Sequence, residues 1–134
     1  MFKEAGFFTE LSVTRQKIHQ FPELSGKEFL TTQFIKSYLE AEGIRILDTK
    51  LKTGLVAEVG VNTGKVIGLR ADIDALPVQE ATNVSYRSKN KGVMHACGHD
   101  FHTASLLGAA KLLKQKEQEI PGKVRFVFQP AEEI

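Results

Sequence analysis

One short stretch of this chain, Met94-His95-Ala96-Cys97-Gly98-His99-Asp100-Phe101-His102, holds one thiol, three imidazoles and a carboxylate. Thiolate and imidazole are ligands of zinc and other late first-row metals. Cys97 and His99 are two apart, so in extended backbone they share a face and could share a metal centre. His102, three beyond His99, neighbours it once a helix has begun. Taken singly, Cys97 reads as an inert small hydrophobe and each histidine as structural. A cysteine–histidine nucleophile is the competing chemistry, but it draws its base from a distant segment, which suits His95 and His99 poorly.

Two more clusters carry carboxylates past apolar runs. In Arg70-Ala71-Asp72-Ile73-Asp74-Ala75-Leu76-Pro77 the two aspartates share a face at a strand end, where open α/β sheets gather functional groups. They could ligate a metal or orient an imidazole that does; a plain turn or pairing with Arg70 is the alternative. In Gln129-Pro130-Ala131-Glu132-Glu133 the adjacent carboxylates point different ways, so one could bind a metal while the other acts as a base. The alternative is a solvated acidic segment. His19, in His19-Gln20-Phe21-Pro22-Glu23-Leu24-Ser25, reads as a structural or capping residue rather than a ligand. Together these clusters point to metal-assisted hydrolysis.

Periodicity and punctuation predict the helices and strands around these groups. A helix over 9–20 is predicted, with Leu11, Arg15 and Ile18 on one face, Thr9 as its cap and Phe21-Pro22 as its stop. A second helix over 26–42 starts with Ser25 and Glu28 at capping-box spacing, carries Leu30, Phe34, Ile35, Tyr38 and Leu39, and ends at Gly43. Strands are predicted over 44–51, 55–59, 66–71 and 124–128, with residues 60–64 as a hairpin-like loop. Residues 79–94 read as loop, and 100–117 as a helix with a broad apolar face. The order gives an α/β fold with a mixed sheet flanked by helices and some parallel pairing. A free sheet edge at 124–128 would favour self-association.

Composition sets the outer limits. The chain has 134 residues, 18 basic against 16 acidic side chains, a net charge of +2 and one cysteine. Near-balanced charge argues against a nucleic-acid or anionic-membrane surface, and Lys111, Lys114 and Lys116 read as a solvated helix face. A lone cysteine forms no internal disulfide. The opening MFKEAGFFTELS lacks the pattern of a secretory leader, and no apolar run approaches the about 20 residues of a membrane span. A cytoplasmic location is the expectation.

Four segments then occur in a distinctive order: Ile18-His19…Pro22-Glu23-Leu24-Ser25, the stretch from Gly68 to Val78, Met94 to Asp100 with His102, and Phe128 to Glu133. They closely resemble the amidohydrolase branch of the M20 metallopeptidase family, which includes hippurate, N-acetyl-diaminopimelate, N-acyl-amino-acid and auxin-conjugate hydrolases. The resemblance implies a zinc-peptidase-like catalytic domain that hydrolyses the amide bond of N-acyl amino acids or peptides. Two divalent ions per full-length subunit are implied, zinc, manganese, cobalt or nickel, with the parent a homodimer or homotetramer.

By position, the resemblance implies that Cys97 bridges two metals, that His99 and Glu133 are ligands, that Glu132 is the general base and that Asp74 is the aspartate behind the ligands. Asp72 stands where other M20 branches carry a ligating histidine. The roles of His19, Asp72 and His102 stay open. Family members are much longer, with a lid or dimerisation domain and downstream histidine ligands. Residues 1–134 are therefore expected to be the N-terminal, inactive portion of such a domain. A non-catalytic metal-binding or interaction module is the other expectation.

Overall fold

A computed structural model describes residues 4–134, with residues 4 and 5 described as backbone only; Met1, Phe2 and Lys3 of the opening segment lie outside the described residues. The element order is α1 (Glu4–Gln20), α2 (Phe29–Ala41), β1 (Arg45–Leu47), β2 (Leu55–Val59), β3 (Val66–Asp72), α3 (His99–Gln115), a short 3-10 turn (Glu117–Glu119) and β4 (Lys123–Gln129).

The four strands form one mixed sheet in the order β1-β2-β4-β3. β1 and β2 pair antiparallel, as do β2 and β4, whereas β3 and β4 run parallel. Helix α3 is the crossover that parallel pairing requires. This corrects the hairpin reading of residues 60–64: β2 and β3 do not pair, because β4 lies between them. The loop instead lies against the end of the crossover, where Asn62 Nδ2 donates to the Ile120 carbonyl (2.6 Å). Strand β4 is likewise no free edge. Val124, Phe126 and Phe128 are buried, and the edge strands are β1 and β3, with Val66 and Ile67 exposed on β3.

Alternation along β2 and β4 turns Leu55, Ala57, Val59, Val124, Phe126 and Phe128 to one face. They join Ile18, Ile35, Leu39, Ala104, Leu107 and Ala110 of the helices in a single core. On the other face Glu58 gathers Arg45 (3.0 Å) and Arg125 (2.8 Å).

Several local expectations shift. Helix α1 begins before Thr9, which lies inside it rather than at its cap. Phe21-Pro22 does end it. Helix α2 begins later than the capping-box spacing implies; Glu28 rather than Ser25 stands at its N-cap, and it makes no side-chain cap hydrogen bond. Both side chains are drawn to distant partners, and Glu23 takes over, accepting the amides of Leu30 (3.2 Å) and Thr31 (2.6 Å). Leu30, placed on the apolar face by spacing, is exposed. Gly43 closes α2 as predicted: it has φ 72°, with Gly43 N–H on Glu40 O and Ile44 N–H on Leu39 O. The strand predicted over 44–51 shortens to Arg45–Leu47. Lys111 and Lys114 are not merely solvated: they pair with Glu10 (2.7 Å) and Glu117 (2.6 Å). Among the described residues, no helix is long and apolar enough to cross a membrane.

Candidate metal centre

Three chain segments converge at the C-terminal ends of β3 and β4. β3 delivers Asp72, and Asp74 follows two residues later. The chain then loops through residues 77–93 and returns by a bridge in which Leu76 and Met94 exchange both backbone hydrogen bonds (3.0 Å each). That bridge places the Cys97 segment beside the aspartates. Gly98 adopts φ 85°, a left-handed conformation that glycine enters without steric cost, and α3 starts at His99.

β4 delivers the glutamates through Pro130 and Ala131. Ala131 is the one described non-glycine residue with positive φ, 55°. Its N–H donates to the fully buried Glu28 carboxylate (2.6 Å), whose other oxygen accepts the Thr53 hydroxyl (3.0 Å). The next tie is Glu133 N–H to Asp74 Oδ2 (3.0 Å). Glu28 and Asp74 therefore fix the turn that presents Glu132 and Glu133.

The imidazole of His99 is the centre of the arrangement. Its Nδ1 lies 2.8 Å from the Asp74 carbonyl and 3.2 Å from Asp74 Oδ1. A carbonyl only accepts, so Nδ1 carries the hydrogen, and in the neutral imidazole Nε2 is left with its lone pair. That lone pair faces carboxylate oxygens: Asp72 Oδ2 at 3.4 Å, Glu133 Oε1 at 3.5 Å and Glu132 Oε2 at 3.7 Å. In that form the lone pair and the anionic oxygens repel unless a cation, a proton or a metal ion, lies between them. Glu133 Oε1 is buried with no hydrogen-bond partner, which marks it as an acceptor awaiting one. Ligand atoms of Cys97, His99 and Glu133 lie within 4.8 Å of one another, as do those of Asp72, His99 and His102. A thiolate, an imidazole and a carboxylate at that spacing fit a divalent late first-row metal.

Protonation follows from the neighbours. Burial raises the Asp74 carboxyl, but hydrogen bonds from the Ser25 hydroxyl (2.6 Å) and from backbone N–H groups outweigh it and hold the group below the ordinary range. Burial likewise raises Asp72, and the hydrogen bond from His102 (2.6 Å), first among the lowering influences, helps bring it below the ordinary range. Glu133, as hydrogen-bond acceptor and as a charge, pushes the exposed Cys97 thiol up. A nucleophilic thiol needs the opposite shift, so this site disfavours the cysteine-nucleophile reading.

The structure thus brings Asp74, Cys97, His99, Glu132 and Glu133 together, with Asp72 and His102 alongside. His19 stands apart. It is buried, with Nδ1 2.8 Å from Asp100 Oδ2 and Nε2 3.0 Å from Glu80 Oε1. Asp100 also takes Arg15 Nε (2.8 Å), and the Arg15 guanidinium stacks on Phe101, 4.0 Å from the ring centre. Arg15, Glu80 and Asp100 so clamp the first turn of α3 behind the site. Sequence reading missed Arg15, Ser25, Glu28 and Glu80; only Glu28 and Ser25 stood in a recognisable spacing, and it suggested a helix cap.

The model of peptidase family M20/M25/M40 matches residues 68–134, half of the 134-residue chain. An N-acetylcysteine deacetylase of Bacillus subtilis is 56% identical over 98% of this chain and 35% of its own length. An N-acyl-L-amino acid amidohydrolase of Geobacillus stearothermophilus is 46% identical over 94% of this chain and 34% of its own. A crystal structure of the Bacillus subtilis YXEP protein, described as a dinuclear metal binding peptidase, superposes with TM-score 0.94 at 56% identity, covering 97% of this chain and 37% of that one. The chain thus spans about a third of the length of these relatives. With its two aspartates, its cysteine–histidine loop and its paired glutamates on one sheet end, the chain belongs to peptidase family M20/M25/M40.

Proposed function

We propose that these residues form the N-terminal portion of a metal-dependent amidohydrolase catalytic domain, and that the longer protein cleaves the amide bond of N-acyl amino acids or short peptides. The lone pair of His99 Nε2, facing carboxylates at 3.4–3.7 Å with Cys97 beside it, carries this reading. The names of the similar proteins, deacetylases and amidohydrolases of N-acyl amino acids, support the substrate class.

Cys97, His99 and Glu133 would hold the metal, with Cys97 as the bridge should two ions bind. When bound, a divalent metal lowers the pKa of water and polarises the amide carbonyl. Glu132, 37% exposed against 20% for Glu133, is the more accessible carboxylate. It takes the proton of the attacking water and gives it to the leaving amine as the C–N bond breaks. Asp74 holds His99 in the tautomer that ligates and ties the Glu133 backbone in place. Three protein ligands are too few for two ions, so the 134-residue chain alone is inactive. A cytoplasmic setting suits an exposed thiol, which stays reduced there.

The test uses the longer protein and an N-acetyl amino acid. Glu132→Gln lowers kcat by about 10²–10⁴-fold, the usual share of a general base, while bound metal stays at the wild-type level. Activity within tenfold of wild type in that variant, or full activity after exhaustive chelation, overturns the proposal.

A further inference from the structure

We propose a second cation site beside the first, built from Asp72, His99 and His102, which competes with the Cys97–His99–Glu133 group for the single lone pair of His99. The donors are already gathered. Asp72 Oδ1 lies 2.6 Å from His102 Nδ1, and Asp72 Oδ2 lies 3.4 Å from His99 Nε2. The two rings are tilted by 31° with centres 5.6 Å apart. Metal–ligand bonds of about 2.0–2.2 Å bring tetrahedral ligand atoms to roughly 3–3.5 Å of one another. Small side-chain rotations therefore admit an ion.

Rigid elements carry these donors. Asp72 closes β3, and His99 and His102 occupy the first turn of α3 at a spacing of three. Thr103 Oγ1 donates to the Asp72 carbonyl (3.0 Å) and pins the helix to the strand end. His102 has no core role, since its side chain is 55% exposed. When Nδ1 binds an ion, its hydrogen shifts to Nε2, with no net change in protons.

Exclusion follows from His99. Its Nδ1–H is spent on the Asp74 carbonyl, so Nε2 is its one ligating atom and serves one ion at a time. The two groups differ in chemistry. One includes a thiolate, which favours softer ions such as zinc; the other has two imidazoles and a carboxylate and suits manganese, nickel or zinc. An ion held by Asp72 and His102 takes His99 away from Cys97 and Glu133. Loss of the thiolate, by oxidation or capping of the exposed Cys97, moves the ion to the second site. In the active protein the same competition predicts inhibition by excess metal.

Cobalt(II) titration of the 134-residue chain, followed by absorption, tests this. A thiolate-to-cobalt charge-transfer band reports the Cys97 group; visible d–d absorption reports either. We expect Cys97→Ser to bind one cobalt without the charge-transfer band. Adding His102→Gln or Asp72→Asn to that variant weakens binding at least about tenfold. In the chain that keeps Cys97, His102→Gln leaves the charge-transfer band and the affinity within about threefold. Wild-type chain with Cys97 capped as a methyl disulfide repeats the comparison should the serine variant misfold. Equal binding by Cys97→Ser with and without His102→Gln overturns the proposal, as does no binding by either Cys97-blocked form at millimolar cobalt. A second, His102-dependent cobalt taken up with the charge-transfer band at full strength overturns the sharing of His99. Absence of that band in wild type counts against the Cys97 group alone, so the two readings fail separately.

Discussion

Replacing Asp74 by asparagine keeps the shape of the side chain and removes its charge and one of its two acceptors. The carboxylate now does three things. Oδ2 accepts the Ser25 hydroxyl (2.6 Å) and Glu133 N–H (3.0 Å), and Oδ1 lies 3.2 Å from His99 Nδ1. An asparagine oxygen in the Oδ2 position keeps the first two bonds but turns NH₂ toward the His99 N–H, donor against donor. The flipped amide relieves that clash and leaves Glu133 N–H without an acceptor. Either way at least one bond to a charged acceptor is lost, about 1.5–3 kcal/mol. Metal-free chain should lose that much stability, roughly 5–15 °C in Tm by scanning calorimetry. The second readout is zinc affinity by titration calorimetry. An oriented carboxylate behind a ligating histidine is worth about 10–100-fold in metal affinity, and Asp74→Asn should show a loss in that range. Ser25→Ala removes one donor, leaves the carboxylate ionised and should change affinity less than about threefold. Zinc binding by Asp74→Asn at wild-type strength, with Tm lowered, would refute the claim that Asp74 orients His99 for a metal.

Other outcomes follow from the same geometry. Glu133 holds the Cys97 thiol above its ordinary pKa, so metal must displace a proton. Zinc affinity should rise by about tenfold per pH unit between pH 6 and 8, and a flat profile would exclude Cys97 as a ligand. Burial holds His95 at about 4 against an ordinary 6.5; the unfolded chain then binds the extra proton, and stability is lost as pH falls from 6.5 toward 4. Burial raises Glu80, but the Thr82 hydroxyl, the Ser88 amide and His19 hold it down to about 2 against 4.5. Its contribution is present above pH 4.5 and is lost as pH falls from there toward 2. Urea unfolding of metal-free chain should show both slopes, and His95→Phe should remove only the upper one. A Cβ at Gly54 would lie 2.5 Å from the Phe128 carbonyl and 2.6 Å from Pro130 Cδ, at φ 75°. Gly54→Ala should cost about 2–5 kcal/mol from overpacking and backbone strain together. Gly26→Ala, at φ 77° with open space around it, should cost about 1–2 kcal/mol; equal denaturant midpoints would contradict the contact argument.

The candidate ligand types were legible in the sequence because such chemistry is written in rare residues at strand ends. One cysteine, a histidine two positions on and two carboxylate clusters have few other uses in such company. Element type was legible wherever a period ran long enough, as in α3, or a Gly43-type stop closed it. What could not be read locally is pairing. Residues 60–64 look like a hairpin loop, and only β4, more than 50 residues later, decides that β2 and β3 are not neighbours. The supporting shell was hidden for the same reason. Ser25 and Glu28 satisfy a local capping rule, yet Ser25 serves Asp74, 49 positions away, and Glu28 serves Ala131, 103 positions away. A buried carboxylate with fixed amide and hydroxyl donors gains more than one at a solvated helix end, so the distant partner wins. Glu80 looks like an ordinary loop charge, Asp100 like one more member of the cysteine–histidine stretch and Arg15 like part of a helix face, and it is their meeting around His19, across 61 to 85 positions, that makes them a clamp. A residue type tells which bonds a side chain can make; its role here depends on which fold brings it a partner.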